Sequence, residues 1–271
     1  MFSRWFGKAD DGIMRFLIIY HKPESKTFAK HMTDMFADLM YSVTCCNGMP
    51  TKQQIKSANR IFLLDFGVEE DETSTHIKSY RHMRGRPVYL VQQSKIDWGI
   101  QFTGLQRMAT SLKIMAVLGH TDDPTCPIGK FHEMHYPYSV SPNYGSGNPS
   151  VVCYDGDLPK EFNQFNPKLQ FRKTAFSECS YYLHFDDISP SLYTYRTLKA
   201  ISNQKLPIFS EENASSTPVG CTTYSSRKVI NRKETDMQYW DKIDNNFDFV
   251  ETHNEPIKVY NSIRALLKNV E

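Results

Sequence analysis

The residue with the clearest chemical potential in this sequence is Arg196, in the first turns of an amphipathic segment at residues 191–203. Apolar runs at 181–185 and 207–209 flank this segment, so the order predicts a βαβ unit. Such units bind ligands at the carboxyl ends of their strands, where the helix N-terminus offers free N–H groups. A guanidinium adds two forked donors, which suits a diphosphate. The alternative is a surface arginine that pairs with Asp186 or Asp187.

No competing phosphate motif occurs elsewhere in the chain. The GxxxxGK[ST] loop of P-loop proteins is absent, and no GxGxxG fingerprint follows the apolar runs that end at Tyr20 and Tyr154. The GxSxG elbow and the HExxH pair are also absent. The sequence therefore argues against the common nucleotide-hydrolysing, dinucleotide-dependent and hydrolase chemistries.

The composition is that of an ordinary folded protein. Of the 271 residues, 40% are hydrophobic and 23% are charged, which argues against a disordered tail or a fibre. The net charge of +2 neither demands nor excludes nucleic acid as a partner. The six cysteines form no CxxC pair, which favours reduced thiols in a cytoplasmic protein over a disulfide framework or a zinc site. No apolar run approaches the ~20 residues that span a bilayer.

Strand and helix patterns alternate along the chain. Continuous apolar runs predict buried strands, and apolar residues at three- and four-residue spacing predict helices. This alternation is typical of parallel sheets with helices on both faces. We predict strands at residues 15–20, 41–45, 60–66, 87–91, 150–154, 169–171, 181–185 and 207–209, a further apolar run at 112–118, and helices at 26–40, 51–57, 74–84, 191–203, 236–243 and 257–269.

Changes in composition suggest where the chain divides. Residues 120–148 are rich in Pro, Gly, His and Tyr, as in a connector with little regular structure, and residues 211–223 resemble a loop. We therefore predict a tail at residues 1–12, an N-terminal Rossmann-like domain at 13–141, a C-terminal domain at 149–254 and a closing helix at 255–271.

A family resemblance enters at residues 192–212, which read LYTYRTLKAISNQKLPIFSEE. This segment resembles the nucleotide-sugar-binding segment of GT-B glycosyltransferases. More narrowly, it is similar to that of the T-even bacteriophage DNA glucosyltransferases, which act on 5-hydroxymethylcytosine. In that family an arginine early in this helix contacts the donor pyrophosphate, and Arg196 matches it. The rest of the chain is similar in layout.

The resemblance implies a fold class and an activity. The fold is α/β, with two Rossmann-like domains facing each other across a cleft and a C-terminal helix that packs back toward the first domain. The activity is transfer of a sugar, glucose or a pentose such as arabinose, from a UDP-sugar to 5-hydroxymethylcytosine in double-stranded phage DNA. The nucleotide-sugar is a substrate, and no cofactor or metal is expected. We further expect a monomer in the host cytoplasm with no membrane partner.

The resemblance also places Tyr195, Gly156 and Glu211 at the donor. Gly156 permits close backbone approach to a phosphate, although its two flanking aspartates repel one. Where the family commonly has a glutamate that binds the donor ribose, three residues after the arginine, this chain has Lys199. The ribose contact then comes from Glu211 or Glu212, or the donor differs.

Sugar transfer to a hydroxymethyl group needs a base near the acceptor oxygen, or assistance from the leaving phosphate. Asp97 follows a front-half strand in the place where the inverting family member carries its base, and Glu24 and Asp65 follow other front-half strands. His21 could act at neutral pH. The alternative for each of them is an ordinary cap or turn residue.

The DNA hypothesis depends on a basic run with aromatic neighbours. Lys78, Arg81, Arg84 and Arg86 could hold phosphates, or could instead complement a helix C-terminus. Trp98 lies in an aromatic loop that could receive an extruded base.

Two other interpretations remain open. The pair His132 and His135 is spaced like two metal ligands, although its connector context favours a structural or incidental role. The chain could also be a non-catalytic nucleotide- or nucleic-acid-binding α/β protein, or a glycosyltransferase with a non-DNA acceptor.

Overall fold

The structure, a computed structural model, divides into two compact units. The first unit is Met1–Met134 with Tyr260–Glu271, and the second is His135–Val259. No helix in the described residues is long and apolar enough to cross a membrane. The described residues are 14–23, 25–64, 81–92, 112–119, 130–141, 147–155, 158, 169–183, 195–210, 222–224 and 236–268.

The first unit is built on a six-stranded parallel sheet with the strand order β2-β1-β3-β4-β5-β6. Parallel neighbours need crossover connections, which is why strands and helices alternate in the sequence. Its elements are β1 (Arg15–Tyr20), α1 (Ser25–Asp38), β2 (Ser42–Asn47), α2 (Lys52–Ser57), β3 (Arg60–Leu63), β4 (Pro87–Val91), β5 (Lys113–Gly119) and β6 (Phe131–Glu133).

Both faces of this sheet are covered, which explains the continuous apolar runs of its central strands. On one face, Phe16 and Phe62 pack with Phe36 of α1, at ring-centroid distances of 4.4 Å for Phe16–Phe36 and 5.1 Å for Phe36–Phe62. On the other face, Leu17 and its neighbours pack with Ile55 of α2. A Thr51–Gln54 capping box starts α2.

The second unit has a five-stranded parallel sheet with the order β11-β10-β9-β7-β8. Ile243 of α4 packs on one face, with Val152 and Tyr181, and Ala200 of α3 packs on the other, with Cys153 and Tyr182. The elements are β7 (Asn148–Tyr154), β8 (Gln170–Arg172), β9 (Cys179–Leu183), α3 (Tyr195–Ser202), β10 (Leu206–Ser210), β11 (Thr222–Tyr224), α4 (Asp236–His253) and α5 (Pro256–Lys268).

The last helix, α5, is held in the first unit through its C-terminal end. Arg60 is 9% exposed, and its Nε and Nη2 donate to the carbonyl oxygen of Leu267 at 3.2 and 2.9 Å. Tyr89 donates to the carbonyl oxygen of Leu266 at 3.0 Å. A buried cation at the negative end of a helix is favourable, since the final carbonyls have no partner within the helix. Burial raises the pKa of Tyr89, while the nearby Arg60 opposes this shift.

Several predicted boundaries differ from the observed ones. A short strand, β6, lies in the predicted connector, and β11 lies at the end of the predicted loop 211–223. Both are three-residue strands that gain their stability by pairing, so a local pattern cannot reveal them. Helix α4 continues ten residues beyond its predicted end at 243, to His253.

Two further predictions for the first unit were inaccurate. The helix predicted at 26–40 ends at Asp38, and Met40 beyond it is 85% exposed, with a φ of 65°. The left-handed backbone turns its side chain away from the core. In the described part of the helix predicted at 74–84, Arg81–Met83 is a 3₁₀ turn, and Gly85, two residues beyond it, has a φ of 80°.

Replacing the buried cation should weaken the attachment of α5. We expect Arg60→Met to lower the free energy of unfolding by about 2–3 kcal/mol, because hydrogen bonds to a charged donor are lost and the Leu267 carbonyl stays buried. Urea unfolding followed by circular dichroism, with hydrogen exchange of the α5 amides, measures this. Arg264→Met, which changes an exposed arginine of the same helix, is the control. Equal effects of the two substitutions would contradict the capping role.

Candidate functional site

The site is built at the carboxyl edge of the second sheet, where the strand order reverses. From β7 the chain continues to β8 on one side, and β9 lies on the other side of β7, so the switch point lies between β7 and β9. Ligands of open parallel sheets bind at such a point. Asp155 directly follows β7, and Tyr182 is the penultimate residue of β9.

Arg196 reaches this point from the first turn of α3. The apolar residues Leu198 and Ile201 bury one side of α3, which leaves Arg196 and Lys199 on its exposed side. The first turn contains no acidic side chain, so its free N–H groups and Arg196 together favour an anion. The helix thus presents Arg196 at its positive end, while Lys199 lies in its last turn.

A single carboxylate oxygen joins the three elements. Asp155 Oδ2 accepts a hydrogen bond from the buried Tyr182 hydroxyl at 3.3 Å and lies 3.5 Å from Arg196 Nη1. The sequence reading had paired Arg196 with Asp186 or Asp187, which lie outside the described residues, but its observed partner is Asp155. The contact of Arg196 with Asp155 uses one nitrogen of the guanidinium fork, not two.

The Arg196–Asp155 pair is weak enough to be exchanged. The two side chains are 59% and 46% exposed, and an ion pair at that exposure contributes about 0–1 kcal/mol after solvent screening. A bidentate contact with a phosphate is stronger, because two charge-assisted hydrogen bonds form in parallel. Another anion can therefore replace Asp155 at Arg196 at little cost.

Further cations lie along the same edge. Lys173 follows β8, and its Nζ lies 6.0 Å from the centroid of the Tyr154 ring at the end of β7. Lys199 lies one turn beyond Arg196. Arg196 and Lys173 thus place two positive charges near the end of β7, where Asp155 follows. This excess of positive charge favours a ligand that carries more than one negative charge.

Tyr195 is a supporting residue as well as a candidate donor contact. Its half-buried ring meets Tyr138 edge-on at 6.0 Å, and Lys199 Nζ lies 5.9 Å from its centroid. Ser202 donates to the Tyr138 hydroxyl at 3.3 Å. Burial raises the pKa of Tyr138, and the Ser202 hydrogen bond opposes this shift. Tyr138 thus fixes the ring that precedes Arg196.

Most of the other residues predicted for the site cannot be placed. The predicted base residues Asp97 and Glu24, the donor residues Gly156 and Glu211, and the DNA-contacting residues Lys78 and Trp98 lie outside the described residues, as do Asp65, Asp157 and Glu212. Of the predicted donor residues, the structure therefore describes Arg196 and Tyr195, at the start of α3, and it adds Asp155 as the partner of Arg196. His21 lies directly after β1, at the carboxyl edge of the first sheet.

The basic residues predicted to contact DNA have different surroundings. Arg86 donates to the carbonyl oxygens of Ala58 and Lys56 at 3.2 and 3.0 Å, at the C-terminal end of α2. Arg86 thus complements a helix C-terminus, as the alternative to DNA binding proposed. The helix is α2 and not the one predicted at 74–84. Arg84 is exposed. The backbone of Arg81 belongs to the 3₁₀ turn, and its side chain is not among the described parts of the structure.

The two spaced histidines contact different elements. His132 Nε2 lies 2.6 Å from the carbonyl oxygen of Ser262, while the His135 ring lies 5.1 Å from that of His253. In the described part of the chain, no group of three or more His, Cys, Asp or Glu side chains is placed to hold a metal ion. His132 thus contacts the backbone of α5, and His135 packs beside a side chain of α4.

Tyr182 is the residue of this site that sequence reasoning missed. It lies inside an apolar strand, next to the equally buried Tyr181. Alternation along a strand predicts that the two tyrosines face opposite sides of the sheet, but it does not predict which one reaches the Asp155 carboxylate. Only the parallel pairing of Tyr182 with Cys153, two residues before Asp155, identifies it.

A double-mutant cycle tests the weakness of the ion pair. We expect Arg196→Met and Asp155→Asn to show a coupling energy below about 1 kcal/mol in urea unfolding without ligand, since both groups are solvated. A coupling energy above about 2 kcal/mol would mean that the pair is a structural element and that Arg196 is not available to a ligand.

Comparison with known proteins supports one fold. No model of a known protein family matches the sequence, and no curated protein is significantly similar to it. Two solved structures each match over 94% of this chain, with a TM-score of 0.52 and 9% identity: the spinosyn forosaminyltransferase SpnP and the glycosyltransferase SnogD from Streptomyces nogalater. The match covers 100% of the first chain and 99% of the second. The protein therefore has the two-sheet, Rossmann-like fold of GT-B glycosyltransferases.

Proposed function

We propose that this protein is a glycosyltransferase whose nucleotide-sugar donor, a UDP-sugar, binds at the carboxyl edge of the second sheet. The observation that carries the proposal is the position of Arg196, at the start of α3 and beside the β7–β9 switch point, in a solvated pair with Asp155. The fold of the two glycosyltransferases supports the same assignment.

Donor binding begins with an exchange of anions. The donor diphosphate takes the place of Asp155 at the Arg196 guanidinium, and the free N–H groups of α3 add further donors. Tyr182 keeps its hydrogen bond to Asp155, so the released carboxylate stays beside β9. The exchange thus turns a weak internal ion pair into a contact with substrate.

Arg196 then has a catalytic effect through charge. When the bond between the sugar and the diphosphate breaks, negative charge develops on the leaving phosphate. A guanidinium already positioned at the phosphate stabilises this charge more than it stabilises the bound donor. Lys173 and Lys199 add to the positive field. No described acidic residue is assigned as the base, and Asp97 and Glu24 remain the proposed candidates.

The proposed acceptor is 5-hydroxymethylcytosine in phage DNA, and the proposed sugar is glucose or a pentose such as arabinose. The support is the resemblance of residues 192–212 to the phage DNA glucosyltransferases. Lys199 stands where that family has its ribose-binding glutamate, and this difference favours a change in the donor. The enzyme would then act in the host cytoplasm.

A second candidate is a glycosyltransferase with a small-molecule acceptor. Two observations favour it. Arg86, one of the four basic residues proposed for DNA, is engaged at the end of α2, and SpnP is by name a spinosyn forosaminyltransferase. The two candidates share the donor site and differ only in the acceptor.

Binding of UDP should raise the melting temperature of the protein. A concentration about 100 times Kd adds about 2.7 kcal/mol to the native state, which corresponds to several degrees. We expect Arg196→Ala to weaken UDP binding about ten- to hundredfold, because charge-assisted hydrogen bonds are lost. Thermal unfolding and calorimetric titration with UDP measure both quantities.

Arg172→Ala is the matched control, since Arg172 is an exposed arginine of the same sheet that bonds to Gln170. It should bind UDP like the parent protein. An unchanged affinity of Arg196→Ala would refute the role given to Arg196, whereas no binding of UDP by the parent protein would refute the donor assignment.

A transfer assay separates the acceptor hypotheses. The protein is incubated with UDP-glucose or UDP-arabinose and with DNA that contains 5-hydroxymethylcytosine or unmodified cytosine, and the nucleosides are analysed by mass spectrometry. We expect the sugar on the hydroxymethylated base alone. Hydrolysis of the donor without transfer to either DNA would favour the small-molecule candidate, and UDP binding without hydrolysis or transfer would indicate a non-catalytic binding protein.

A further inference from the structure

A pair of buried thiols lies in the second unit. Cys153 of β7 is 2% exposed and Cys179, the first residue of β9, is fully buried, and both are free thiols. Their Sγ atoms are 2.7 Å apart. A disulfide bond is about 2.05 Å long, so closing this gap takes a movement of well under one ångström. The two sulfurs therefore already lie close to bonding distance.

The backbone brings these two residues together through an irregular register. Asn148 pairs with Cys179, and the next pair is Val152 with Tyr181. Between these two pairs β7 therefore contains more residues than β9. Gly147 permits the approach, because a Cβ on it would lie 1.8 Å from the carbonyl oxygen of Cys179. The absence of a side chain at Gly147 thus allows the chain before β7 to pack closely against Cys179.

The surroundings distinguish the two sulfurs. Cys153 Sγ donates its one proton to the carbonyl oxygen of Tyr181 at 3.2 Å. Contact with Cys153 and the charge of the buried Lys205 lower the pKa of Cys179, although desolvation opposes them. Contact with Cys179 and burial raise the pKa of Cys153. Cys179 is therefore the better nucleophile, and Cys153 the proton-bearing partner.

We propose that Cys153 and Cys179 form a peroxide-sensitive dithiol that closes to a disulfide between β7 and β9. The Cys179 thiolate attacks one oxygen of hydrogen peroxide, so an S–O bond forms, the O–O bond breaks and hydroxide leaves. The Cys153 sulfur then attacks the Cys179 sulfenic acid, the S–S bond forms and the S–O bond breaks. The departing hydroxyl takes the Cys153 proton and leaves as water. The two sulfurs lose two electrons in total, and peroxide is reduced.

The bond would cross-link the two strands that carry the candidate site. Cys153 precedes Asp155 by two residues and pairs in register with Tyr182, the donor to that carboxylate. Oxidation would therefore fix the separation of Asp155 from Tyr182. The dithiol itself does not depend on the proposed function, since it requires no nucleotide or sugar.

The test is a thiol count on the intact protein. Reduced full-length protein is treated with hydrogen peroxide under native conditions, unfolded, alkylated and analysed by mass spectrometry. We expect two of the six cysteines to escape alkylation and to appear as one linked peptide that joins Cys153 to Cys179. Because both sulfurs are buried, the much larger glutathione disulfide should produce the link far more slowly than peroxide.

Variants assign the roles. Cys45→Ser, which changes an exposed thiol, should leave the link intact. Cys153→Ser should accumulate a dimedone-reactive sulfenic acid at Cys179. Cys179→Ser should accumulate no sulfenic acid at Cys153. In a folded Lys205→Met variant the link should form several-fold more slowly. Alkylation of all six cysteines after peroxide treatment, or a link between other cysteines, would overturn the proposal. A sulfenic acid at Cys153 instead of Cys179 would overturn the assigned order of attack.

Discussion

The fold depends on the requirement that a parallel sheet be covered on both faces. A parallel strand can be joined to its neighbour only by a crossover, and the crossover helix must then bury its apolar side against the sheet. In the first unit α1 and α2 lie on opposite faces, and in the second unit α3 and α4 do the same. With both faces occupied, the carboxyl edge is where each sheet can present polar side chains to a ligand.

The candidate site shows how a weak interaction can suit a binding function. Arg196 is held by a solvated carboxylate that is itself positioned by the buried Tyr182 hydroxyl. A stronger, buried pair would cost more to break than a phosphate contact could return. The contrast with Arg60 is instructive, because that guanidinium is buried and bonded to the end of α5. Two arginines of one chain thus differ in burial: Arg60 is fixed at a helix end, and Arg196 is solvated and weakly paired.

The sequence predicted the central elements well and the peripheral ones poorly. β1 and β4 match their predicted bounds because a strand that is buried on both faces is apolar throughout. β6 and β11 were missed because each is three residues long and is stabilised by its neighbour. Helix α4 was predicted too short, since polar residues such as Asp244 and Asn245 follow Ile243 and hide the stripe that Phe247 and Val250 continue.

By itself, the sequence determined the alternation of strands and helices and the place of Arg196 at the start of a crossover helix. Both follow from local periodicity, which a single segment contains in full. Tertiary structure alone decided that Asp155 is the partner of Arg196, that Tyr182 holds Asp155, and that Arg86 serves α2. These contacts join residues far apart in the chain through strand order and register. Nothing in the local pattern fixes that order, because the buried central strands have similar apolar sequences.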